Sequence, residues 1–363
     1  MTTPLPPPPG LRMPAEWAPH QCVWMLWPVR PDNWRLEAQP AQRAYTEVAR
    51  AISRFTPVRI GVAPHVHAEV SRQFAQDPDI ECVAMASNDA WMRDVGPTVV
   101  WSQPEQRWLG VDWMFNAWGG DQGGLYAPWD ADDAVASAVC LQQGLTSARA
   151  DFVLEGGALH VDGEGTLLTT EECLLNPNRN PQLSRADIEQ RLRDWLGVST
   201  IIWLPQGVFE DETDGHVDNM ACFLKPGVVA LAWCDDPQDP QYARSRAAEA
   251  VLQRSRDAQG RSFEIVRLPV PGPLFITAEE AGGVAVDGGG MARSAGQRLA
   301  GSYVNFLFTN GGLMMPTFED PMDTVAQARL ASACPDFEIV PIPAREILLG
   351  GGNIHCITQQ IPA

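Results

Sequence analysis

The sequence lacks the features that mark several common classes of protein. It contains no Cys-x-x-Cys pair, and 363 residues can bury a core without disulfides, so most of its eight cysteines are expected to be buried free thiols. No apolar run approaches the length of a membrane-spanning helix. The formal net charge of -19 argues against binding to nucleic acid or to an anionic membrane surface. A cleft lined by acidic residues would instead attract cationic ligands.

The N-terminus also lacks the basic and apolar segments of a secretory signal peptide, so we expect a protein of the reducing cytoplasm. Residues 1–15 are rich in proline and are expected to form an extended tail. No linker or low-complexity segment divides the chain, and we therefore expect one catalytic domain over residues 1–363.

Strand-like and helix-like segments alternate along the whole chain, which predicts an α/β fold. Pairs of strands joined by short turns recur, and a helix follows each pair. Strand pairs are expected within 99–113, 158–170, 217–233 and 303–315, single strands at 22–27, 58–62 and 354–358, and helices at 42–55, 66–75, 131–143, 184–195, 241–256 and 323–333.

Three reactive residue types are evenly spaced along the chain. Asp94, Glu155 and His216 are each separated by 61 positions, and each precedes a predicted strand pair. Cys356 lies about two further units beyond His216. This spacing predicts a diverged repeat of supersecondary units around a centre where the four residues converge. Coincidence is the alternative, because the units share little sequence identity.

Cys356 is the strongest candidate for a nucleophile. It follows a glycine run and a histidine, where the backbone leaves room for a ligand to approach closely. His216 lies in an acidic turn, and acidic neighbours raise the pKa of a histidine, which suits a proton donor and acceptor. Asp218 is two residues from His216 in a predicted strand, so both side chains are expected on one face.

The carboxylates of Asp94, Glu155 and Asp218 indicate the type of reaction. Negative charge near a thiol opposes a thiolate protease, because it disfavours both the thiolate and an oxyanion. A guanidinium, however, has five N–H donors in a fixed fork that carboxylates bind in pairs, and its charge stabilises a thiolate. The residues therefore predict that Cys356 attacks the central carbon of a guanidinium.

The other histidines do not predict a metal centre. His65 and His67 have a spacing found in metal sites, but they lie at the start of a predicted surface helix. We expect His20 and His160 to be structural. Arg93 is expected to pair with an acid and hold its loop in place.

These motifs resemble the agmatine deiminase branch of the guanidine-modifying superfamily, which is related to the peptidylarginine deiminases. The resemblance extends from residue 17 to the end of the chain, and its most specific block is Gly-Gly-Gly-Asn-Ile-His-Cys-Ile-Thr-Gln-Gln at 350–360. It implies the pentein fold, a five-bladed pseudo-symmetric α/β propeller of ββαβ-type repeats. Asp214 stands where the family has an asparagine, a difference expected to affect the turn before His216.

The resemblance also implies a role for each residue. Asp94 and Asp218 would bind the guanidinium with help from Glu155, and His216 would transfer protons. Cys356 would form a covalent amidino (thiouronium) intermediate. The implied reaction is hydrolysis of agmatine to N-carbamoylputrescine and ammonia, in putrescine and polyamine biosynthesis, with no metal and no cofactor.

Two further residues are expected to contact the substrate. Trp91 would pack on the methylene groups of agmatine, and Glu212 would bind its free ammonium. The alternative role for Glu212 is to cap a turn. The expected partner is thus a small cationic substrate, with no nucleic acid and no membrane, and a homo-oligomer remains open.

Two other functions remain open at this stage. A deiminase of C-terminal arginine in peptides would share these motifs, although such enzymes are usually secreted and longer. A non-catalytic guanidine-binding protein would need only the carboxylates, and the combination of Cys356 with His216 speaks against it.

Overall fold

The computed structural model describes residues 7–285, 289–290 and 292–363 of the chain. Residues 1–6 of the predicted tail lie outside this range. The described remainder of the tail is not free, because Leu11–Arg12 forms a strand that pairs antiparallel with residues 101–102. The Met13 N–H also donates to the carbonyl of Leu196 over 2.9 Å. Residues 11–13 of the predicted extended tail are therefore paired through their backbone with the rest of the fold.

The same order of elements recurs in five sheets of the described chain. Two antiparallel strands come first, and a third strand then pairs parallel to the second. A parallel pair needs a crossover, and a helix supplies it in each case. We call these sheets blades and number them in the order in which the chain forms them from residue 98 onward.

The strands of the first four blades are Thr98–Ser102, Arg107–Met114 and Thr146–Val153; His160–Val161, Thr166–Thr170 and Thr200–Leu204; Ala221–Lys225, Val228–Trp233 and Glu264–Pro269; and Leu307–Phe308, Gly312–Thr317 and Glu338–Pro343. The fifth blade joins the two ends of the chain, because Thr358–Pro362 pairs with His20–Leu26, which continues to Val58–Val62 and Ile80–Ala84. A small additional sheet pairs Leu274–Phe275 with Arg298–Leu299.

The longer helices supply the crossovers and cover the blades. They span Gln39–Ser53, His67–Gln73, Val135–Gln143, Arg185–Leu196, Pro240–Arg254 and Met322–Ala333. Shorter helical segments are Met92–Val95, Gly120–Gln122, Asp132–Ala134, Gly156–Ala158, Glu171–Leu174, Val217–Met220, Ala278–Gly282 and Arg345–Leu348. In the described part of the chain, no helix has the length and apolar character needed to span a membrane.

Most predicted elements are confirmed with shifts of a few residues at their ends, but two predicted strands are wrong. Residues 217–220, predicted as the start of a strand, form the helical turn Val217–Met220. The last strand begins only at Thr358, because residues 353–357 form a turn closed by the Ile357 N–H on the Asn353 carbonyl. A short buried apolar run does not distinguish a strand from a buried turn. Both turns precede the first strand of a blade.

The helix Arg185–Leu196 begins as the sequence predicts. The Ser184 hydroxyl accepts the Asp187 N–H, and the Asp187 carboxylate accepts the Ser184 N–H over 2.9 Å. The helix ends at Gly197, whose φ of 67° is left-handed. Its buried face consists of Ile188, Leu192, Trp195 and Leu196.

Replacing Ser184 with Ala should lower the free energy of unfolding by about 1 kcal/mol, because two backbone N–H groups lose their capping arrangement. Urea denaturation monitored by circular dichroism would measure the change. Ser137→Ala is the matched control, since the exposed Ser137 hydroxyl only donates to the Ala134 carbonyl. Equal midpoints for wild type and Ser184→Ala would contradict the assignment of this cap.

Candidate active site

The five blades each contribute a segment to one buried site. Asp94, Glu155 and His216 lie just before the first strands of the first, second and third blades, and Cys356 lies just before that of the fifth. The equal spacing of the first three thus follows the structural repeat. All four side chains are at most 7% exposed, although three of them are ionisable acids or bases.

The distances between these groups fit one reaction centre. His216 Nδ1 lies 3.9 Å from Asp94 Oδ2, and His216 Nε2 lies 3.6 Å from Glu155 Oε2. Cys356 Sγ lies 3.7 Å from Asp218 Oδ2. The expected pairing of His216 and Asp218 on one strand face is replaced by a helical turn, which nevertheless directs both side chains into the site.

The fourth blade contributes Asn305, which the sequence analysis missed. Its Oδ1 accepts the His355 N–H over 3.0 Å and lies 3.4 Å from both the backbone nitrogen and Sγ of Cys356. Asn305 comes just before the strand Leu307–Phe308, the position equivalent to the other site residues. The interval of about two repeat units between His216 and Cys356 indicated that another unit lies between them. Asn305 was still missed, because an amide is not recognisable in sequence as a reactive group.

Gly157 explains why the Glu155 segment needs glycine. Its N–H donates to Asp94 Oδ1 over 2.9 Å. A Cβ at this position would lie 2.5 Å from His216 Nδ1 and 3.0 Å from Asp218 Oδ2. Any larger residue would therefore displace the groups of the site.

Asp94 is held by two N–H donors in an environment that opposes its charge. Gly157 N–H donates to one oxygen, and Trp118 Nε1–H donates to the other over 3.0 Å. Burial raises the pKa of Asp94 to about 6; the charge of His216 opposes this shift, and Asp218 and Glu155 add to it. A cation placed beside Asp94 would lower the free energy needed to ionise this buried carboxylate.

His216 is favoured in its charged form. Burial alone would lower the pKa of His216, but Asp94, the thiol of Cys173 and Glu155 raise it well above its usual value. Glu155 is itself kept anionic by Arg179, whose Nε donates to Oε1 over 2.7 Å. Burial opposes ionisation of Glu155, yet Arg179 and His216 together hold its pKa below the usual value.

One group of ligand-type side chains among the described residues has the closeness that a metal site requires. The ligand atoms of Glu155, Cys173 and His216 lie within 4.8 Å of one another. Arg179 already occupies one oxygen of Glu155, however, and its guanidinium would repel a metal cation at this point.

Arg179 also shows that Asp214 affects more than its turn. Asp214 has a left-handed φ of 63°, which aspartate and asparagine tolerate better than most residues. Its Oδ2 accepts Arg179 Nη1–H over 2.8 Å. The carboxylate therefore adds an ion pair to the guanidinium that supports Glu155.

The charges around Cys356 oppose its thiolate. Burial raises the pKa of Cys356 well above its usual value, and the charges of Asp218 and Asp94 raise it further. Asp218 nevertheless remains an anion. Burial would raise the pKa of Asp218, but the hydrogen bond and charge of His355 outweigh it and lower that pKa.

A cavity whose wall includes Trp91 and Trp118 leads to Cys356. Trp91 stacks on Trp34 with ring centroids 5.2 Å apart. Asp89 holds both indoles, accepting Trp91 Nε1–H over 2.9 Å and Trp34 Nε1–H over 2.7 Å. Trp91 thus offers a fixed apolar surface beside Asp94.

Glu212 also lines the cavity, where its carboxylate contacts other side chains. Its Oε1 is paired with Arg293 and accepts Gln297 Nε2–H over 3.1 Å. Its Oε2 is buried with no hydrogen-bond partner among the described residues. Arg293 and Arg30 also lie in the lining of this cavity, and the sequence analysis did not single them out.

The other histidines and Arg93 lie largely where the sequence predicts, although His67 is half-buried, with Nε2 3.2 Å from the Cys82 carbonyl oxygen. Arg93 is buried, pairs with Glu16 at 3.4 Å and donates to the His355 carbonyl over 3.3 Å. His20 and His160 are buried in the interior, and His65 is exposed. Glu16, His355, Asn305 and Arg179 were not singled out by the sequence analysis.

Five ββαβ blades with a cysteine, a histidine and carboxylates at their meeting point define a guanidine-modifying enzyme of the pentein fold. The chain belongs to the Porphyromonas-type peptidyl-arginine deiminase family, whose model matches residues 12–362. It is 56% identical to the agmatine deiminase of Pseudomonas putida over 356 residues, covering 98% of this chain and 96% of that protein.

Solved structures agree with this family. The agmatine deiminase of Enterococcus faecalis matches with a TM-score of 0.94 and 44% identity, over 99% of both chains. The DDAH of Pseudomonas aeruginosa matches with a TM-score of 0.51 and 10% identity, over 94% of this chain and all of that one. This second likeness concerns the fold alone.

Titration of Asp94 should be visible in the stability of the protein. Because its pKa is raised to about 6 from 3.8, the folded state holds this proton more tightly than the unfolded state. Its contribution to stability is complete below pH 3.8 and is lost as pH rises through about 6. Relative to Asp94→Asn, the wild type should lose about 3 kcal/mol across this window.

Thermal melts of both proteins from pH 4 to 8 would measure this difference. The asparagine side chain can accept only one of the two N–H donors, so the melting temperature of Asp94→Asn should differ from that of the wild type by a constant amount at every pH. The test is how steeply the melting temperature of each protein changes with pH. Asp79→Asn, at an exposed position, should follow the wild type. Parallel curves for wild type and Asp94→Asn would show that Asp94 has an ordinary pKa.

Proposed function

We propose that this protein is an agmatine deiminase that hydrolyses agmatine to N-carbamoylputrescine and ammonia, a step of putrescine and polyamine biosynthesis. The observation that carries the proposal is the meeting of Cys356 and His216 with the carboxylates of Asp94, Glu155 and Asp218 in one buried site. The relatives named agmatine deiminase match over almost the whole chain, which supports the choice of substrate.

The charge of the site supports a guanidinium. Glu155 Oε2 and Asp218 Oδ1 are buried and have no hydrogen-bond partner among the described residues. Unpaired buried acceptors are costly, and N–H donors that carry positive charge would satisfy them. In the proposed complex the guanidinium lies between Asp94 and Asp218, with Glu155 assisting and its central carbon facing Cys356 Sγ.

Substrate binding would also activate the nucleophile. The carboxylates that raise the pKa of Cys356 become paired with the guanidinium, whose own charge favours the thiolate. The thiol proton is released to solvent, and the thiolate attacks the central carbon. His216, already an imidazolium, donates its proton to the departing ammonia as the tetrahedral adduct becomes a thiouronium.

The second half-reaction uses the neutral His216 that the first leaves behind. His216 accepts a proton from water, and the resulting hydroxide bonds to the thiouronium carbon. Collapse of this adduct breaks the C–S bond and forms the carbonyl of the substituted urea, while the hydroxyl proton passes to the departing sulfur and restores the Cys356 thiol. Division into two steps lowers each barrier, and proton transfer of this kind typically contributes about 10²–10⁴-fold.

The remaining expectations stand as part of this proposal. Every cysteine is a free thiol, which fits action in a reducing cytoplasm. The five blades would act as one catalytic domain without a metal or a cofactor. Nucleic acid and membranes are not expected as partners, and assembly into a homo-oligomer is a question for measurement in solution.

Replacing Cys356 with Ala should abolish ammonia release while agmatine still binds, because the carboxylates remain. Ammonia release measures the first effect, and isothermal titration calorimetry measures the second. Cys334→Ala removes a buried thiol outside the cavity and should keep wild-type turnover. Substantial turnover by purified Cys356→Ala would refute covalent catalysis, and agmatine turnover absent from the wild type would refute the function.

The second proposal concerns the distal end of agmatine. Glu212 Oε2 would bind the free ammonium, while Arg293 holds Oε1 and directs the side chain. Arg293 pairs with Glu212 and also donates to Asn33 Oδ1 over 3.0 Å and to the Gly350 carbonyl over 2.6 Å, so its guanidinium is held in place. Trp91 would contact the methylene groups between the two ends.

Free arginine should therefore be a poor substrate, and Glu212→Gln should raise the KM for agmatine about ten- to hundredfold with little change in kcat. Steady-state ammonia release with agmatine, arginine and a peptide ending in arginine would test this. Comparable kcat/KM for arginine and agmatine would contradict the proposed contact. Efficient turnover of the peptide would instead favour the peptidyl-arginine activity for which the family is named.

A further inference from the structure

A buried pair of charged residues, Glu16 and His355, adjoins Asp218 and does not line the cavity. His355 Nδ1 is 2.8 Å from Asp218 Oδ2, and His355 Nε2 is 2.8 Å from Glu16 Oε1. Glu16 and His355 are 339 positions apart in the sequence, and they are 3% and 2% exposed. The imidazole therefore joins two carboxylates at hydrogen-bonding distance.

This geometry determines the protonation of His355. An ionised carboxylate only accepts hydrogen bonds, so each ring nitrogen must carry a hydrogen to make both contacts. A neutral imidazole would face one carboxylate with a lone pair. Consistent with this, Glu16 and Asp218 raise the pKa of His355, against the opposing effects of burial and Arg93.

Glu16 is held firmly in this position. Arg93 Nη1 lies 3.4 Å from Oε1, and His160 Nε2 lies 3.4 Å from Oε2. His160 Nδ1 accepts the Phe223 N–H over 3.2 Å, so the hydrogen of this neutral ring is on Nε2. Burial opposes the ionisation of Glu16, but His355, His160 and Arg93 lower its pKa well below the usual value.

We propose that Glu16 is a positioning residue of the reaction: it keeps His355 as an imidazolium, which fixes Asp218 Oδ2 and directs Oδ1 toward the substrate. This inference depends on the proposed function in one respect, the role of Asp218 as a ligand of the guanidinium. Glu16 lies too far back to touch the substrate, since His355 stands between it and Asp218. Its effect on catalysis passes through His355.

The surroundings of this pair contain further ionisable groups, and the test must isolate Glu16 from them. The ionisable groups that interact with Glu16, His355, Asp218 or Cys356 include Arg93, His20, His160, His216, Asp94, Asp211 and Cys222. A substitution of Glu16 leaves all of them in place. Comparison of variant and wild type at each pH cancels those titrations that do not depend on the charge of Glu16.

Glu16→Gln keeps the size of the side chain but removes its charge. Glu16 is one of the two carboxylates that raise the pKa of His355, so in the variant His355 should lose its second proton at a lower pH than in the wild type. Once that proton is lost, a charged hydrogen bond to Asp218 becomes a neutral one. The kcat/KM for agmatine should fall about five- to tenfold relative to wild type at pH 8 and recover toward the wild-type value at pH 6.

His20→Gln is the matched control. His20 is also buried, but its Nε2 contacts the main-chain carbonyl of Glu16 and not the carboxylate. A packing defect in this region should change kcat/KM by a constant factor at every pH. A constant ratio of Glu16→Gln to wild type from pH 6 to 9 would overturn the proposal.

A second measurement does not depend on activity or on folding of the variant. Nitrogen-15 NMR of wild type labelled at histidine reports the protonation of each ring, and His355 should carry two ring hydrogens at pH 8. A neutral His355 in the wild type would overturn the proposal even if Glu16→Gln fails to fold. If the wild type releases no ammonia from agmatine, the proposed function fails, whereas this NMR result still decides the state of His355.

Discussion

The structure depends on keeping several negative charges buried at one point. Asp94, Glu155 and Asp218 converge within contact of His216 or Cys356, where water cannot solvate them. Each is stabilised differently. Arg179 pairs with Glu155, and His355 pairs with Asp218, whereas Asp94 has only N–H donors and His216, and accordingly carries the raised pKa. Asp94 is thus the carboxylate whose charge the protein compensates least, and it would gain the most stabilisation from a cationic substrate.

The fold allows these negative charges to be buried close together, because each of the three acids comes from a different blade. The segment before each first strand is a turn rather than a strand, so its side chains can point toward the centre while the strands behind it pack the core. Gly157 lets one of these turns approach the others closely. The rigid hairpins hold the reactive groups in place, which is what a preorganised site requires.

Balance of charge behind the site is as important as charge within it. Arg179 is itself shared between Glu155 and Asp214, and His355 between Asp218 and Glu16. In both cases a cation supports a functional carboxylate while a second carboxylate supports the cation. Removing the outer acid would leave the reacting groups in place but change their protonation, a difference that pH profiles can detect.

The sequence by itself indicated the α/β class and a recurring order of two strands and a helix, because periodicity and spacing along the chain express local geometry directly. It also predicted Cys356 and His216 as reacting groups, since thiols and imidazoles are recognisable by their chemistry. Only the tertiary structure decided which groups balance the buried charge. Glu16, Asn305 and Arg293 reach the site from distant parts of the chain, and a partner chosen by three-dimensional packing leaves no periodic trace in sequence.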